Sequence, residues 1–128
     1  MNIVVVGMTG AGKTTWINGF VNHILGIKKN VPWRYVIADE QKIINERIQD
    51  LRSKGFKGTP KELADQARTI SLTSEVTIYH LPAEVIKVQI SNAPCSINII
   101  DTPGQGDTRG KAWDDKIMIM IKDLMSSL

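Results

Sequence analysis

Short apolar runs and helical patterns alternate along this chain of 128 residues. Residues 3–6, Ile-Val-Val-Val, are all β-branched, which is typical of a strand buried on both faces. From Lys13 onward the apolar residues change to helical spacing, and Gly26 stands where a helix stop belongs. The chain is therefore predicted to begin as a strand over residues 2–6, a glycine-rich loop and a helix.

The middle and end of the chain continue the alternation of helices and strands. A helix is predicted from about Asp39 to Ser53, and the capping box Thr59-Pro60-Lys61-Glu62 predicts a second, short helix. Three strands and a last helix follow, at residues 76–81, 86–90 and 97–101 and from about residue 111. This order predicts one three-layered α/β unit, with strand 2–6 parallel to strand 97–101 and an antiparallel strand beside it.

Composition narrows the functional classes only slightly. The net charge of +3 is mild and mixed in sign along the chain, so no nucleic-acid partner is expected. The single Cys95 cannot form an internal disulfide, and no apolar run is long enough for a signal peptide or a transmembrane segment. A cytoplasmic location is therefore expected, and Trp16, Trp33 and Trp113 are expected to anchor the core.

The first loop carries the clearest chemical motif. Gly7-Met8-Thr9-Gly10-Ala11-Gly12-Lys13-Thr14 fits GxxxxGK[ST], in which main-chain amides surround phosphates and the lysine adds a positive charge. The required context, a strand before and a helix after, is predicted here. Thr14 would offer its hydroxyl to Mg²⁺. The candidate ligand-binding residues are Gly7, Thr9, Gly10, Ala11, Gly12, Lys13, Thr14 and Thr15.

A second motif, DxxG, follows the buried strand 97–101. Asp101-Thr102-Pro103-Gly104 places a carboxylate where a parallel strand ends beside the first loop, a position from which it can hold Mg²⁺. Gly104 is the candidate sensor of the γ-phosphate. Asp-Thr-Pro-Gly is also a common turn, and its pairing with the first motif favours the functional interpretation.

Together the two motifs resemble those of the septin-like and immunity-associated GTPases, within the translation-factor-related class of P-loop proteins. The resemblance rests on Gly-Met-Thr-Gly-Ala-Gly-Lys-Thr-Thr-Trp-Ile-Asn and Asp-Thr-Pro-Gly-Gln-Gly-Asp-Thr-Arg-Gly. It implies a P-loop NTPase fold with a mostly parallel sheet, one antiparallel edge and flanking helices. It also implies GTP and Mg²⁺ as ligands, and slow hydrolysis of the γ-phosphate.

The resemblance also assigns residues to the two switch loops. It makes Thr73 the candidate first-switch threonine, a ligand of Mg²⁺ in the catalytic machinery, with Thr69, Ser71 and Ser74 as nearby alternatives. Gln105 occupies the position where Ras-like GTPases carry the glutamine that orients the attacking water. A solvated loop residue is the alternative role for Gln105.

The family pattern continues with further strands and with a guanine-reading [NT]KxD motif, which this sequence lacks. The chain is therefore expected to be an incomplete GTPase domain, in which strand 2–6 lies at an open edge. Such an edge is expected to self-associate or to bind a protein partner that completes the sheet. Two other functions stay open: a truncated interaction module without catalysis, and an ATP-binding P-loop protein.

Overall fold

A computed structural model of the chain describes residues 1–69 and 73–128. Within them, four α-helices accompany a three-stranded sheet. In chain order the elements are β1 (Asn2–Val5), α1 (Lys13–Ile24), α2 (Glu40–Ser53), α3 (Pro60–Arg68), β2 (Thr77–Leu81), a single 3₁₀ turn (Ala83–Val85), β3 (Ile97–Asp101) and α4 (Lys111–Ser127). The fold class is α/β, as predicted.

The sheet has the strand order β1-β3-β2. β1 is parallel to β3, with Ile3 opposite Ile99, and β2 is antiparallel to β3, with Tyr79 also opposite Ile99. The predicted placement of these three strands is confirmed. The predicted antiparallel edge is present as β2, but among the described residues the sheet is mixed and not mostly parallel, since one pairing is parallel and the other antiparallel.

β1 was expected to be buried on both faces and to reach Val6, and both expectations are wrong. The strand ends at Val5, its residues 3–5 are only half-buried, and Val6 is 56% exposed. The reason is that β1 is an edge strand, which among the described residues pairs with β3 alone. β3, with a neighbour on each side, is the strand that is buried.

The strand predicted at residues 86–90 does not form. This segment follows Pro82 and the 3₁₀ turn, and the amide of Lys87 donates to the carbonyl of Ile24 at the end of α1. Ile86 and Val88 do pack against the core, which accounts for the alternating pattern. The segment therefore contacts the end of α1 and does not pair with a strand.

The core lies between α1 and one face of the sheet. Ile17, Val21 and Ile24 of α1 are buried against Ile97, Ile99 and Leu81. Trp16 and Trp33 are about half exposed, at 47% and 52%, so the expectation that they anchor the core is wrong. The exposed Trp16 instead stacks on Phe20, one turn later on the same face of α1.

Two asparagines of α1 fix the chain segment that leads into α2. The Asn22 side chain accepts from the amide of Tyr35 at 2.8 Å and donates to its carbonyl at 2.7 Å. One turn earlier, Asn18 accepts from Ile37 and donates to the carbonyl of Ala38. Asp39 then caps α2 by accepting from the amide of Lys42. The segment before α2 is thus held against the second and third turns of α1.

α3 begins with the predicted capping box, which is confirmed. The amide of Thr59 donates to Glu62 at 2.8 Å, and the amide of Glu62 donates to the Thr59 hydroxyl at 3.3 Å. This hydrogen bonding lowers the pKa of Glu62.

No helix in the described part of the chain is long and apolar enough to cross a membrane.

Candidate functional site

The glycine-rich loop lies between β1 and α1. Gly12 adopts a left-handed conformation, with φ of 83°, and gives way directly to the first turn of α1. The Lys13 ammonium folds back over the loop and donates to the carbonyls of Gly7 at 2.9 Å and Met8 at 3.1 Å. Burial lowers the pKa of Lys13, and the nearby Asp101 carboxylate opposes that shift. These two hydrogen bonds therefore hold the Lys13 ammonium against the main chain of the loop.

A cavity of about 220 Å³ opens in front of this loop. The first amides of a helix lack partners within the helix, so the start of α1 supplies donors suited to an anion there. The hydroxyl oxygen of Thr9 is buried without a hydrogen-bond partner among the described residues. The cavity is lined by Thr9, Gly10, Ala11, Gly12, Lys13, Thr14, Thr15, Glu40, Arg68 and Thr73.

The loops after β1 and β3 are joined along their main chains. The amide of Thr9 donates to the carbonyl of Gln105 at 2.8 Å, and the Thr102 hydroxyl donates to the carbonyl of Val5 at 2.8 Å. Gly104 lies directly against Thr9. These contacts bring the two predicted motifs together. Gly7 and Gly104 do not themselves line the 220 Å³ cavity.

Asp101 is the buried acid of the site, with 1% of its surface exposed. Its Oδ2 accepts a hydrogen bond from the Thr73 hydroxyl at 3.0 Å, whereas Oδ1 has no hydrogen-bond partner among the described residues. Burial raises the pKa of Asp101, and the Thr73 hydrogen bond and the Lys13 charge oppose that shift. A buried carboxylate oxygen without a donor is suited to a cation.

A second, smaller cavity of about 40 Å³ lies next to that carboxylate. Thr14, Thr73 and Asp101, the three predicted Mg²⁺ ligands, all line it, together with Glu40. The donors are oxygens, as Mg²⁺ prefers, and the space suits one ion or water. Among the described residues no group of three or more His, Cys, Asp or Glu side chains could hold a metal ion. The residues present fit Mg²⁺ only as part of a site that phosphate oxygens complete.

Of the candidate switch residues, Thr73 is the one beside Asp101. The Thr69 hydroxyl instead donates to the carbonyl of Gln66, and Ser74 is exposed. Ser71 lies outside the described residues.

Gln105 contributes through its main chain. Its carbonyl accepts from Thr9, while its side-chain amide donates to the sulfur of Met118 in α4 at 2.8 Å. Gln105 lines neither of the two cavities. The structure therefore does not bring its side chain together with Lys13, Thr14 and Asp101.

Two residues that the sequence interpretation missed line the larger cavity. Glu40 is the first residue of α2 and also borders the small cavity, where its charge further raises the pKa of Asp101. Arg68 is the last residue of α3. No motif contains either one. For Arg68 the available signal was its place shortly before the candidate switch threonine; for Glu40 there was none, because its position depends on the anchoring of α2 to α1.

No protein-family model matches this chain, and searches of curated proteins and of solved structures found no match either.

Proposed function

We propose that this chain binds GTP with Mg²⁺ at the joined loops and slowly hydrolyses the γ-phosphate. In this proposal the chain forms the N-terminal part of a P-loop GTPase domain. The β- and γ-phosphates occupy the 220 Å³ cavity, and Mg²⁺ is held by Thr14, Thr73 and Asp101. Guanine preference follows from the resemblance of the two motifs to those of GTPases, because this chain has no base-reading [NT]KxD motif.

One observation carries the proposal: the buried Asp101 and the start of α1 meet at one place. Lys13 and Thr14 come from the first turn of α1, and Asp101 from the end of β3, a strand that is parallel to β1. Ligands of α/β sheets bind where parallel strands end. The carboxylate oxygen without a donor and the cationic lysine there suit a cation and a phosphate respectively.

The chemistry this arrangement supports is in-line attack of water on the γ-phosphorus. A new bond forms from the water oxygen, the bond from the γ-phosphorus to the bridging oxygen breaks, and its electron pair stays on the β-phosphate. One proton of the water stays on the inorganic phosphate and the other is released to solvent, so the products are GDP, inorganic phosphate and a proton. Lys13 would hold the β- and γ-phosphates in place, and Thr73 and Asp101 would position the bound Mg²⁺. Bound Mg²⁺ would neutralise charge on the phosphate oxygens.

An ATP-binding protein and a non-catalytic interaction module are the two alternatives. ATP-binding P-loop proteins more often follow the aspartate with a second acid, whereas Thr102 follows Asp101 here. An interaction module would leave the unpartnered Oδ1 of Asp101 and the Lys13 charge without a ligand to bind.

Competition binding tests the proposal. A fluorescent GTP analogue is titrated with the chain in Mg²⁺ and in chelator, and GTP or ATP is then added as competitor. The expected result is saturable, Mg²⁺-dependent binding that GTP displaces at least about tenfold more effectively than ATP. Preferential displacement by ATP would favour the ATP-binding alternative. Absence of saturable binding at millimolar nucleotide would favour the interaction module.

A further inference from the structure

Arg68 shares the larger cavity with the phosphate-binding loop, although it comes from a different part of the chain. It ends α3, and it lines the 220 Å³ cavity together with Lys13, Thr14 and Thr73. It also lines the neighbouring cavity formed with Thr14 and Asp39. A cationic side chain is thus present at the anion site in addition to Lys13.

The main chain around Arg68 is held from both sides. Arg47 of α2 donates to the carbonyl of Ala67 at 3.0 Å. The Thr108 hydroxyl, in the loop after β3, contacts the carbonyl of Thr69 at 3.5 Å. Because α2 is itself anchored to α1 through Asn18, the position of Arg68 relative to the phosphate loop is defined by packed elements.

The side chain of Arg68, by contrast, is free to turn toward a ligand. It is 54% exposed, and the ion pair it makes is a long one, 3.7 Å, with the exposed Asp65 one turn earlier in α3. Exposed pairs of this kind contribute little to stability. Reorienting the guanidinium toward the cavity therefore costs little.

The charge balance of the site favours this reorientation. Glu40 and Asp101 already bring negative charge, and the Lys13 ammonium is shared with the carbonyls of Gly7 and Met8. A triphosphate adds several more negative charges. The guanidinium fork matches phosphate oxygens in geometry.

We infer that Arg68 is a catalytic residue that supplies, within the same chain, positive charge to the γ-phosphoryl group during its transfer to water. Charge spreads over the γ-phosphate oxygens and the bridging oxygen as the bond to the β-phosphate breaks, and an arginine at that point accelerates hydrolysis strongly. In this arrangement the packed helices α2 and α3 position Arg68 at the cavity. The inference rests on the proposed function.

The experiment compares Arg68→Ala and Arg68→Lys with wild type and with Arg52→Ala, a control at an exposed arginine in the last turn of α2. Affinity for GTP and GDP is measured by titration, and hydrolysis by single-turnover phosphate release. Binding of GDP with Mg²⁺ and aluminium fluoride, which mimics the transferring phosphoryl group, is measured as well. This last readout responds to charge on the transition state and not to ground-state affinity.

Arg68→Ala is expected to slow phosphate release by about 10- to 100-fold and to abolish the aluminium fluoride complex, with GTP and GDP affinities within about threefold of wild type. Arg68→Lys should fall between Arg68→Ala and wild type, and Arg52→Ala should behave as wild type. An unchanged rate in Arg68→Ala would overturn the inference, and so would an equal loss of affinity and rate. Wild type that binds GTP without releasing phosphate would also overturn it while leaving nucleotide binding intact. Wild type that binds no nucleotide would refute the proposed function itself.

Discussion

Gly104 and Thr9 are in direct main-chain contact. A β-carbon on Gly104 would lie 2.6 Å from the Thr9 hydroxyl oxygen and 2.8 Å from both the α-carbon and the amide nitrogen of Thr9. These distances are shorter than any normal contact, so only glycine fits between the loops after β1 and β3. The residue that the DxxG motif requires is therefore also the residue that lets the two loops join.

Gly104→Ala is expected to separate these loops. The added methyl group would have to push back the Thr9 main chain, which we expect to destabilise the chain by about 1–3 kcal/mol and to weaken nucleotide binding at least about tenfold. Denaturant unfolding and nucleotide titration would measure both effects. Gly19→Ala is the matched control, because nothing lies within 4 Å of the added atom in α1. Equal behaviour of the two variants would contradict the prediction.

Lys13→Ala is expected to weaken GTP binding by at least about tenfold, since in the proposed function it removes the cation that holds the β- and γ-phosphates. The fold should survive, because the lysine ammonium donates its two hydrogen bonds to loop carbonyls and Lys13 is not among the buried core residues. Calorimetry and circular dichroism would measure affinity and fold. Lys57→Ala, at an exposed position between α2 and α3, is the control. An unchanged affinity together with an unchanged fold would exclude the glycine-rich loop as the binding site.

Asp101→Asn is expected to stabilise the chain at neutral pH in a chelating buffer. Burial raises the pKa of Asp101 above its ordinary value of 3.8, so the folded chain holds the proton more tightly than the unfolded chain. Its contribution to stability is therefore present below pH 3.8 and is lost as the pH rises through the raised pKa. The variant lacks this loss, so urea unfolding across the pH range should show a smaller decline than in wild type. Asp123→Asn, exposed on α4, should leave the wild-type decline in place.

Gln105→Ala is expected to leave single-turnover phosphate release within about twofold of wild type, whereas Asp101→Ala should abolish it. The Gln105 side chain contacts Met118, and its main-chain bond to Thr9 does not depend on residue type. A loss of rate in Gln105→Ala with GTP affinity retained would show that the glutamine swings toward the nucleotide and positions water.

The open edge of β1 is expected to make the isolated chain self-associate. Among the described residues β1 has a partner on one side only, and α4 exposes Met118, Ile119 and Met125, each more than half. An apolar strand edge and an apolar helix face of this kind favour pairing. Sedimentation velocity should show concentration-dependent association. A monomer with one cooperative unfolding transition of several kcal/mol would contradict this prediction.

Local patterns predicted much of this fold, because they depend on neighbours in the chain. The capping box at Thr59 and the turn at Gly12 need only adjacent residues to form. The failures come from distant packing. At 86–90, Ile86 and Val88 pack partly buried against the core, as the alternation indicates. The segment nevertheless bonds to the end of α1, a contact that no periodicity encodes.

The candidate site shows the same contrast between residues set by local motifs and residues placed by distant packing. The two motifs predicted Lys13, Thr14 and Asp101, since each lies at a fixed offset from a strand or helix end. Glu40 and Arg68 reach the cavity only when α2 and α3 pack on each other and Asn18 of α1 holds the segment before α2. Their relevance depends on tertiary anchoring, which the spacing of residues in the sequence does not reveal.

The side-chain amides of Asn18 and Asn22 connect α1 to the segment that precedes α2. α1 begins at the phosphate loop and, through these two side chains, also holds the segment that leads to Glu40. Cavity residues from the first turn of α1 and Glu40 at the start of α2 are thus both attached to one helix. We therefore expect the position of Glu40 relative to the phosphate loop to depend mainly on these hydrogen bonds and little on the length and sequence of residues 27–34.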